Sequence, residues 1–344
     1  MKLLIITQKV DRNDPVLGFF HGWITEFAKH FESLIVICLE KGSYDLPPNV
    51  KVLSLGKEAG ASRRLYVRRF YEAIWKERKA YDAVFVHMNQ EYVLLGGWLW
   101  RLLGKRSSMW RNHHAGNFFT DIAAFFCTKI FCTSRFSYTA KYKKTVLMPV
   151  GVDTAMFKPA AGHSRKPRSV LFLSRMAPVK RPDLLMEALH LLSKKGTSLS
   201  ASFYGDPAPR DRDFFEFLKK QAKACGLADA IAFHNGIPNE KTAAVYDSHE
   251  IFINLSSSGM YDKTIFEAMA CGCLVLASNE NLKGQIDPRL IFEEGSVEDL
   301  ASKLNVLLDM PDADKAKLSL ALRDYALASH SLALLGDRLA RELA

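Results

Sequence analysis

The sequence has no apolar run long enough to cross a membrane, because a transmembrane helix needs roughly 18 or more consecutive apolar residues. The nearest stretch, residues 92–103, is interrupted by Gly96, Gly97 and Arg101 and predicts a buried helix. The apolar stretch at residues 1–6 is too short for a signal peptide and predicts a first β-strand. These absences favour a soluble or peripheral protein.

Cysteine pairs with metal-binding spacing are also missing. None of the six cysteines forms a Cys-x-x-Cys pair, and most lie in apolar surroundings. This pattern favours free, buried thiols in a reducing cytoplasm over disulfides or a zinc site. Asp211-Arg212-Asp213 has the D-x-D form of metal-dependent transferases, but it lies at a predicted helix start, where acidic residues suit the helix dipole. Neither a metal nor another cofactor is therefore expected.

The first half of the chain is poor in acidic residues. Residues 1–150 contain 23 Lys and Arg against 12 Asp and Glu, whereas the remaining residues contain 24 and 25, so the net charge of +10 arises in the first half. Such an excess favours an anionic partner, which is a membrane face, a phospholipid-linked acceptor or nucleic acid.

A basic helix is predicted within residues 63–79, where basic and aromatic residues alternate at helical spacing. Such a helix can lie on an anionic bilayer, with Arg63, Arg64, Arg68 and Arg69 as the contacts. The alternative is a solvated basic face above core residues. Nucleic acid is not expected as a partner, because no recognition motif accompanies the charge.

Strand-like and helix-like segments alternate in two series, separated by a loop-like region at residues 150–168. This alternation predicts an α/β protein with two doubly wound parallel-sheet domains facing each other across a cleft. The predicted domains are residues 1–157 and 158–318, followed by a helical segment at 319–344. The predicted strands are 3–7, 34–39, 50–53, 83–87, 107–111, 129–133 and 145–149 in the first series, and 169–174, 200–204, 230–233, 250–255 and 273–278 in the second.

The segment at residues 251–272 has the pattern of a phosphate-binding site. A buried strand is followed by a loop of small residues and then by a helix at residues 263–270, which Gly272 ends. Doubly wound domains use such a strand, loop and helix to present backbone N–H groups to a phosphate. Glu267 lies about a turn inside the helix and can face the same ligand, a geometry that suits a nucleotide sugar.

Two cations lie on the loop that follows the first strand of the second series. Pro182 suits the first position of a helix over residues 182–194, so Arg175 and Lys180 precede that helix, near the predicted cleft. Two cations in this place can neutralise a diphosphate. The alternative is that both are solvated loop charges.

The order of several motifs resembles the retaining GT-B glycosyltransferases of family 4, also called glycosyltransferase group 1. The likeness is strong over the second domain and weaker over the first. The segment at residues 148–157 is similar to the family's join between domains. The other matching motifs are Ser174-Arg175 with Lys180-Arg181, Tyr204-Gly205-Asp206, Phe233-His234-Asn235-Gly236 and Glu267-Ala268-Met269-Ala270-Cys271-Gly272.

This resemblance implies two Rossmann-like domains, with a nucleotide-diphosphate sugar held mainly by the second. Arg175 and Lys180 would then bind the diphosphate and stabilise the leaving group, and Glu267 would accept hydrogen bonds from the ribose hydroxyls. The C-terminal helix would cross back to the first domain. The other residues that the resemblance assigns to the donor are Ser258, Lys263 and Thr264, whose amides lie near the phosphates, and Gly205 of the second motif.

The chain departs from the family pattern at two places. The family commonly has a second Glu eight positions before the first, and this chain has Gly259 there. Asp262-Lys263-Thr264 replaces the usual Gly-x-Pro. We infer that Asp262 or Lys263 takes over part of the lost donor contact, whereas the alternative for Lys263 is an exposed lysine at a helix start.

Two residues of the first domain complete the candidate site. The resemblance assigns a donor-sugar contact to His113, with His114 as the reserve, although a surface or core-edge imidazole is the alternative. Gly18 matches a loop of small residues beside the phosphates and acceptor, and plain turn chemistry explains it equally well.

The sequence thus predicts a soluble or peripheral cytoplasmic retaining glycosyltransferase that uses a UDP- or GDP-linked hexose. Its predicted acceptor is a cell-envelope glycan or a lipid-linked saccharide. Catalysis would depend on positioning and charge stabilisation, because no nucleophile-base pair is evident. The alternatives are an inverting GT-B transferase, a nucleotide-sugar epimerase, or a sugar-nucleotide-binding protein without turnover.

Overall fold

The chain forms two compact units. Unit 1 comprises Met1–Gly151 together with Leu332–Ala344, and unit 2 comprises Val152–Ser331. No helix in the described part of the chain is long and apolar enough to span a membrane. The computed structural model describes all residues from 1 to 344 except Pro15, Ala161, His163, Ser164, Ser257 and Ser258.

Unit 1 is built around a parallel sheet of seven strands in the order β3-β2-β1-β4-β5-β6-β7. The strand order reverses between β1 and β4, which is the doubly wound arrangement. Its strands are β1 (Lys2–Val10), β2 (Ser33–Lys41), β3 (Val50–Ser54), β4 (Ala83–His87), β5 (Arg106–Trp110), β6 (Lys129–Cys132) and β7 (Thr145–Leu147). Its helices are α1 (Phe19–Phe27), α2 (Arg63–Lys76), α3 (Gln90–Leu102), α4 (Phe118–Phe126) and α11 (Leu332–Leu343).

Strand β1 shows how this sheet separates two cores. Successive side chains of a strand point to opposite faces. Leu3 and Ile5 join the core that α1 and α11 cover, whereas Leu4 and Ile6 join the core that α2, α3 and α4 cover. A strand buried on both faces needs a continuous apolar run, and this explains the sequence of β1.

Unit 2 contains a parallel sheet of five strands in the order β10-β9-β8-β11-β12. Its strands are β8 (Lys166–Leu173), β9 (Ser200–Tyr204), β10 (Ile231–His234), β11 (His249–Asn254) and β12 (Leu274–Ala277). Its helices are α5 (Pro182–Lys194), α6 (Arg212–Ala224), α7 (Asn239–Ser248), α8 (Lys263–Ala270), α9 (Val297–Leu308) and α10 (Asp312–His330).

The C-terminal region contains two helices. Helix α10 ends at His330, Ser331 is extended (φ −65°, ψ 153°), and α11 begins at the next residue. Ser331 forms a parallel bridge with Val152, and α10 packs against α8 and β12. The chain therefore passes between the units at residues 151–152 and 331–332, whereas the sequence predicts boundaries at 157 and 318. Loop composition and helical periodicity do not reveal the Val152–Ser331 bridge.

Helix α3 differs from the buried helix that the sequence predicts. Tyr92, Val93 and Trp100 are buried, but Trp98 and Leu102 are 46% and 76% exposed. The apolar composition of this helix therefore reflects two surfaces, one packed in the core and one open to solvent.

Candidate functional site

The carboxyl ends of the strands in unit 2 bring most of the predicted site residues together. Strands β9, β8 and β11 are neighbours in the sheet, and the loops that follow them contain Gly205, Arg175 and Asp262. In doubly wound sheets this edge is where ligands bind.

Gly205 is the point at which the loop after β9 approaches the loop after β8. Its φ is +148°, and a Cβ atom there would lie 1.9 Å from the carbonyl oxygen of Ser174. Only glycine tolerates this backbone conformation and this close approach. Gly205 thus fixes the backbone beside Arg175. The Arg175 side chain is exposed and has no hydrogen bond or ion pair with a described residue.

Lys180 lies at the centre of a polar cluster between two loops. Its Nζ donates to Oδ2 of Asp262 at 2.7 Å and to Oγ of Ser256 at 2.9 Å. The side chains of Lys180 and Asp262 are 26% and 19% exposed, so this ion pair is partly shielded from water. The lysine is therefore held in place by a carboxylate that stands where the family pattern has the small Gly-x-Pro loop.

Asp262 precedes α8 as its N-cap residue, but its side chain accepts no hydrogen bond from the helix. The carboxylate instead accepts hydrogen bonds from Lys180, from Ser256 at 2.9 Å and from Asn254 at 3.4 Å. Burial favours the neutral acid, but the charge of Lys180 and these hydrogen bonds outweigh it and lower the pKa of Asp262. Asp262 is therefore ionised near neutral pH.

Glu267 is a buried carboxylate on the next turn of α8, and it is only 2% exposed. Its Oε1 accepts from Nδ2 of Asn239 at 3.3 Å, and its Oε2 accepts from the hydroxyl of Tyr246 at 3.1 Å. Burial raises the pKa of Glu267, although the charge of Lys263 and these two hydrogen bonds oppose the rise. Two donors thus fix the carboxylate and leave it lone pairs for further donors.

Lys263 begins α8, one turn before Glu267. The loss of water around its ammonium group lowers its pKa to about 8, although the charges of Glu267 and Asp153 oppose the shift. An added anion would stabilise the protonated form of a lysine with this pKa, because it supplies a further negative charge near the ammonium group. The next residue, Thr264, accepts a hydrogen bond at Oγ1 from Asn254 at 3.5 Å.

The loop before α8 includes two predicted positions. Ser258 lies outside the described residues. Gly259 has φ +62°, a conformation that side chains with a Cβ rarely adopt. Its carbonyl accepts a hydrogen bond from Asn281. The backbone at residue 259 therefore favours glycine over the family's usual Glu.

Gly18 and His113 belong to unit 1. Gly18 has helical dihedrals, but a Cβ atom there would lie 2.5 Å from the carbonyl oxygen of Asp14. Turn packing therefore favours glycine at this position, and a role beside the phosphates and acceptor stays a prediction. His113 is exposed and stacks on His114 with ring centroids 4.6 Å apart. Its Nδ1 lies 3.0 Å from the backbone nitrogen of Ala115. The same Nδ1 lies 3.1 Å from the carbonyl oxygen of Ala115, so this geometry is compatible with a proton on either ring nitrogen.

Sequence reasoning missed His87, at the carboxyl end of β4 in unit 1. It is 2% exposed, its Nδ1 lies 3.2 Å from Oγ1 of Thr7, and its ring stacks on Phe20 at 3.9 Å. Strands β1 and β4, which hold Thr7 and His87, are the pair at which the sheet order reverses. The sequence signal for a candidate site residue here is a histidine at the carboxyl end of an apolar strand, the edge at which doubly wound sheets bind ligands.

In unit 2 the sequence did not reveal Ser256, Asn239 and Tyr246, which hold Lys180 and Glu267 in place. Asn239 and Tyr246 lie seven residues apart on α7, so one face of that helix presents both to Glu267. This spacing is a signal that could have been found, but only once α7 was known to face α8.

The basic helix α2 presents three of its four predicted arginines to solvent. Arg63, Arg64 and Arg68 are exposed, and Arg68 pairs with Glu72 at 2.7 Å. Arg69 is instead half-buried and donates to the carbonyl of Leu55 at 2.9 Å. The Arg69 side chain thus turns inward beside Gly56 and is less available to a membrane than the other three arginines, whose membrane contacts stay predictions.

Among the described residues, no group of three or more His, Cys, Asp or Glu side chains is arranged to hold a metal ion. Asp211 of the D-x-D sequence is 9% exposed, and its Oδ1 lies 3.8 Å from Nε of Arg210.

The chain belongs to the glycosyl transferases group 1, because the model of that family matches residues 153–326, just over half of the chain. The match covers nearly all of unit 2, which holds Arg175, Lys180 and Glu267. The family assignment made from these motifs is thereby confirmed, whereas retaining chemistry and membership of family 4 stay predictions.

The curated relatives match this region at low identity. A D-inositol 3-phosphate glycosyltransferase of Acidothermus cellulolyticus is 28% identical over 155 residues, which are 41% of this chain and 34% of that protein. A D-inositol 3-phosphate glycosyltransferase of Streptomyces avermitilis is 26% identical over 155 residues, 41% of this chain and 33% of that protein. The match thus spans about a third of the length of these relatives.

Solved structures match the whole chain. HepE of Anabaena in complex with UDP gives a TM-score of 0.79 at 17% identity and covers 100% of this chain and 99% of that chain. Sucrose-phosphate synthase of Thermosynechococcus elongatus gives 0.74 at 16% identity, with 99% of both chains covered. These similarities show the GT-B fold with its two parallel-sheet α/β domains and confirm the predicted fold class.

Proposed function

We propose that this group 1 glycosyltransferase transfers a hexosyl group from a UDP- or GDP-linked sugar with retention of configuration. The observation that carries the proposal is the presence of two groups beside α8, which are the ammonium group of Lys180, held by the N-cap residue Asp262, and the buried carboxylate of Glu267. Lys180 supplies positive charge for a diphosphate, and Glu267 supplies acceptor oxygens for the ribose hydroxyls. A diphosphate leaving group needs charge stabilisation more than it needs a nucleophile.

Several observations support the parts of this proposal. Exposed Arg175 is not engaged by another described side chain and is available to a ligand's phosphates. HepE of Anabaena has been solved with UDP-glucose, which favours UDP as the nucleotide. Retention rests on the resemblance to family 4. Neither a metal nor another cofactor takes part in the proposed reaction. The role of His113 as a donor-sugar contact is proposed from the family resemblance alone.

The proposed acceptor is a cell-envelope glycan or a lipid-linked saccharide, reached in the cytoplasm at the inner face of the membrane. The relatives named above act on an inositol phosphate, which favours an acceptor that carries hydroxyls and negative charge. The exposed arginines of α2 support a membrane location, since basic helices bind anionic bilayers.

A thermal-shift panel of nucleotides and nucleotide sugars tests the donor assignment. A ligand that binds only the folded protein raises its melting temperature. We expect UDP or GDP and the matching sugars to raise it, and the best donor to release nucleotide slowly in the absence of acceptor. No shift with either nucleotide would reject the donor site.

The same experiments separate the alternatives. Binding without nucleotide release would identify a sugar-nucleotide-binding protein. If the donor is turned over, the anomeric configuration of the product, measured by NMR, distinguishes retention from inversion. Release of an isomerised nucleotide sugar would identify an epimerase.

Replacing Asp262 with Asn should strengthen UDP binding by about three- to tenfold, because Asp262 competes with the diphosphate for Lys180 and repels it. Asn keeps the shape and removes the charge. Isothermal titration at pH 7.5 measures the change in Kd. Ser256→Ala is the matched control, since it removes one neutral partner of Lys180 and leaves the charges unchanged. Weaker binding by Asp262→Asn would contradict this expectation and would instead support the donor contact that the sequence predicts for this carboxylate.

A further inference from the structure

Five large apolar side chains form the exposed apolar surface of α3 and α4, two helices of unit 1 that pack against each other. We call it the α3–α4 apolar surface, and it consists of Trp98, Leu102, Phe118, Phe119 and Phe125. Their exposures range from 46% for Trp98 to 76% for Leu102. In the described part of unit 2, the exposed large apolar side chains are Val179, Phe217, Val306 and Leu320, and each lies on a different element. Single exposed residues of that kind are normal, whereas a contiguous patch marks an interaction site.

The spacing along both helices puts these side chains on their outer faces. On α4, Phe118 and Phe125 are seven residues apart, with Ile122 between them, so they line one stripe of the helix. On α3, Trp98 and Leu102 are four residues apart and also share a face. A surface helix of a soluble protein normally shows polar residues on this side. Both helices instead have apolar stripes that face away from the core.

Close packing joins the two helices that carry these stripes, and the ring of Trp98 on α3 also lies 6.5 Å from the ring of Tyr71 on α2. A Cβ atom at Gly97 on α3 would lie 2.6 Å from Cβ of Phe126 on α4, so glycine allows the helices to approach. The guanidinium of Arg101 on α3 lies 5.0 Å from the ring centroid of Phe125 on α4. Arg101 thereby adds positive charge to the apolar surface.

Helix α4 is firmly held although its outer face is apolar. Asn117 and Thr120 form a reciprocal capping box at its start, so Phe118 and Phe119 extend from a fixed first turn. The single charged residue of α4, Asp121, pairs with Lys141 at 2.9 Å and accepts from Tyr138 at 3.0 Å. The exposed rings therefore belong to an ordered surface rather than to a frayed end.

We propose that the α3–α4 apolar surface inserts into the interfacial region of an anionic lipid bilayer. Aromatic side chains favour the level of the lipid headgroups, and basic side chains beside them bind anionic lipids. Helix α2, which packs on the same face of the sheet as α3 and α4, presents Arg63, Arg64 and Arg68 to solvent. An anionic lipid bilayer thus matches both the apolar stripes and the excess of basic residues. This inference extends the membrane placement of the proposed function, and it does not depend on the donor site.

Flotation with vesicles of phosphatidylcholine alone, or with phosphatidylglycerol added, tests the proposal. We expect the protein to float with anionic vesicles, and the triple variant Trp98→Ser, Leu102→Ser, Phe125→Ser to bind at least about tenfold more weakly. Phe217→Ser on α6, which also removes an exposed ring, is the matched control and should bind like wild type. The UDP-induced thermal shift, measured on all three proteins, reports the donor site separately and should be unchanged.

A second measurement reports insertion directly. Brominated lipids quench tryptophan fluorescence on contact, and we expect Trp98→Phe to lose part of the quenching that the wild type shows. Absence of vesicle binding, or wild-type binding by the triple variant, would overturn the proposal. A wild-type dimer that the triple variant converts to a monomer in light scattering would overturn it as well, because the surface would then join two copies of the chain.

Discussion

Replacing Lys180 with Met should lower the rate of sugar transfer by about a hundred- to a thousandfold, the usual effect of removing one preorganised charge from a transition state. The lysine would neutralise the diphosphate as it departs, so the loss should fall mainly on kcat. Steady-state kinetics with the best donor of the thermal-shift panel, or nucleotide release without acceptor, measures the change.

The design of this experiment must separate charge loss from structural damage. Lys180→Met leaves Asp262 without its cation, whereas the double variant Lys180→Met, Asp262→Asn removes both charges. If the lysine acts on the diphosphate, both variants are slow. If its only role is to neutralise Asp262, the double variant recovers activity. Lys195→Ala, which removes an exposed lysine after α5, is the control for nonspecific charge effects.

Replacing Glu267 with Gln should weaken UDP binding by about ten- to a hundredfold, because hydrogen bonds to a charged acceptor contribute about 1.5–3 kcal/mol. Isothermal titration with UDP and with 2′,3′-dideoxy-UDP tests the cause. Wild type should prefer UDP strongly, and the variant should lose most of that preference. An equal loss of affinity for both ligands would show that Glu267 does not contact the ribose.

The pH dependence of UDP binding follows from the same carboxylate. Burial raises the pKa of Glu267 above its ordinary value of 4.5, so the side chain takes up a proton at a higher pH than an exposed glutamate does. Affinity should therefore weaken as the pH falls through this raised pKa. The affinity for UDP should also weaken at alkaline pH, because Lys263 has a pKa of about 8 and loses its charge as the pH rises above that value. In the pH profile of UDP affinity, Glu267→Gln should remove the decrease at low pH and retain the decrease at high pH.

Local rules predicted the elements of both units well. Strand β4 at residues 83–87 and helix α8 at residues 263–270 begin and end where the sequence indicates. Pro182 starts α5 because its fixed φ and missing N–H suit the first helical position. Each of these signals lies within a few residues of the element that it predicts.

Contacts between distant segments were not predictable in this way. Lys180 and Asp262 are 82 residues apart, and their ion pair exists only because the loops after β8 and β11 meet. The inward turn of Arg69 depends on Leu55 and on the space beside Gly56, where a Cβ atom would lie 1.8 Å from the guanidinium. Periodicity places Arg69 on a helix but does not show which partner its side chain reaches.

Helix α11 completes the core of unit 1, although it follows unit 2 in the sequence. Leu332, Leu335, Leu339 and Leu343 lie in the core of unit 1 beside α1 and β1. During synthesis these leucines leave the ribosome only after the whole of unit 2. The 180-residue insertion between Gly151 and Leu332, which forms unit 2, can therefore fold first. Until α11 has been synthesised, one face of the sheet of unit 1 lacks part of its cover. The core of unit 1 can therefore be completed only after unit 2 has been synthesised. A stop codon shortly after Ser331 should expose the apolar core of unit 1 to aggregation while leaving the whole of unit 2 in the product.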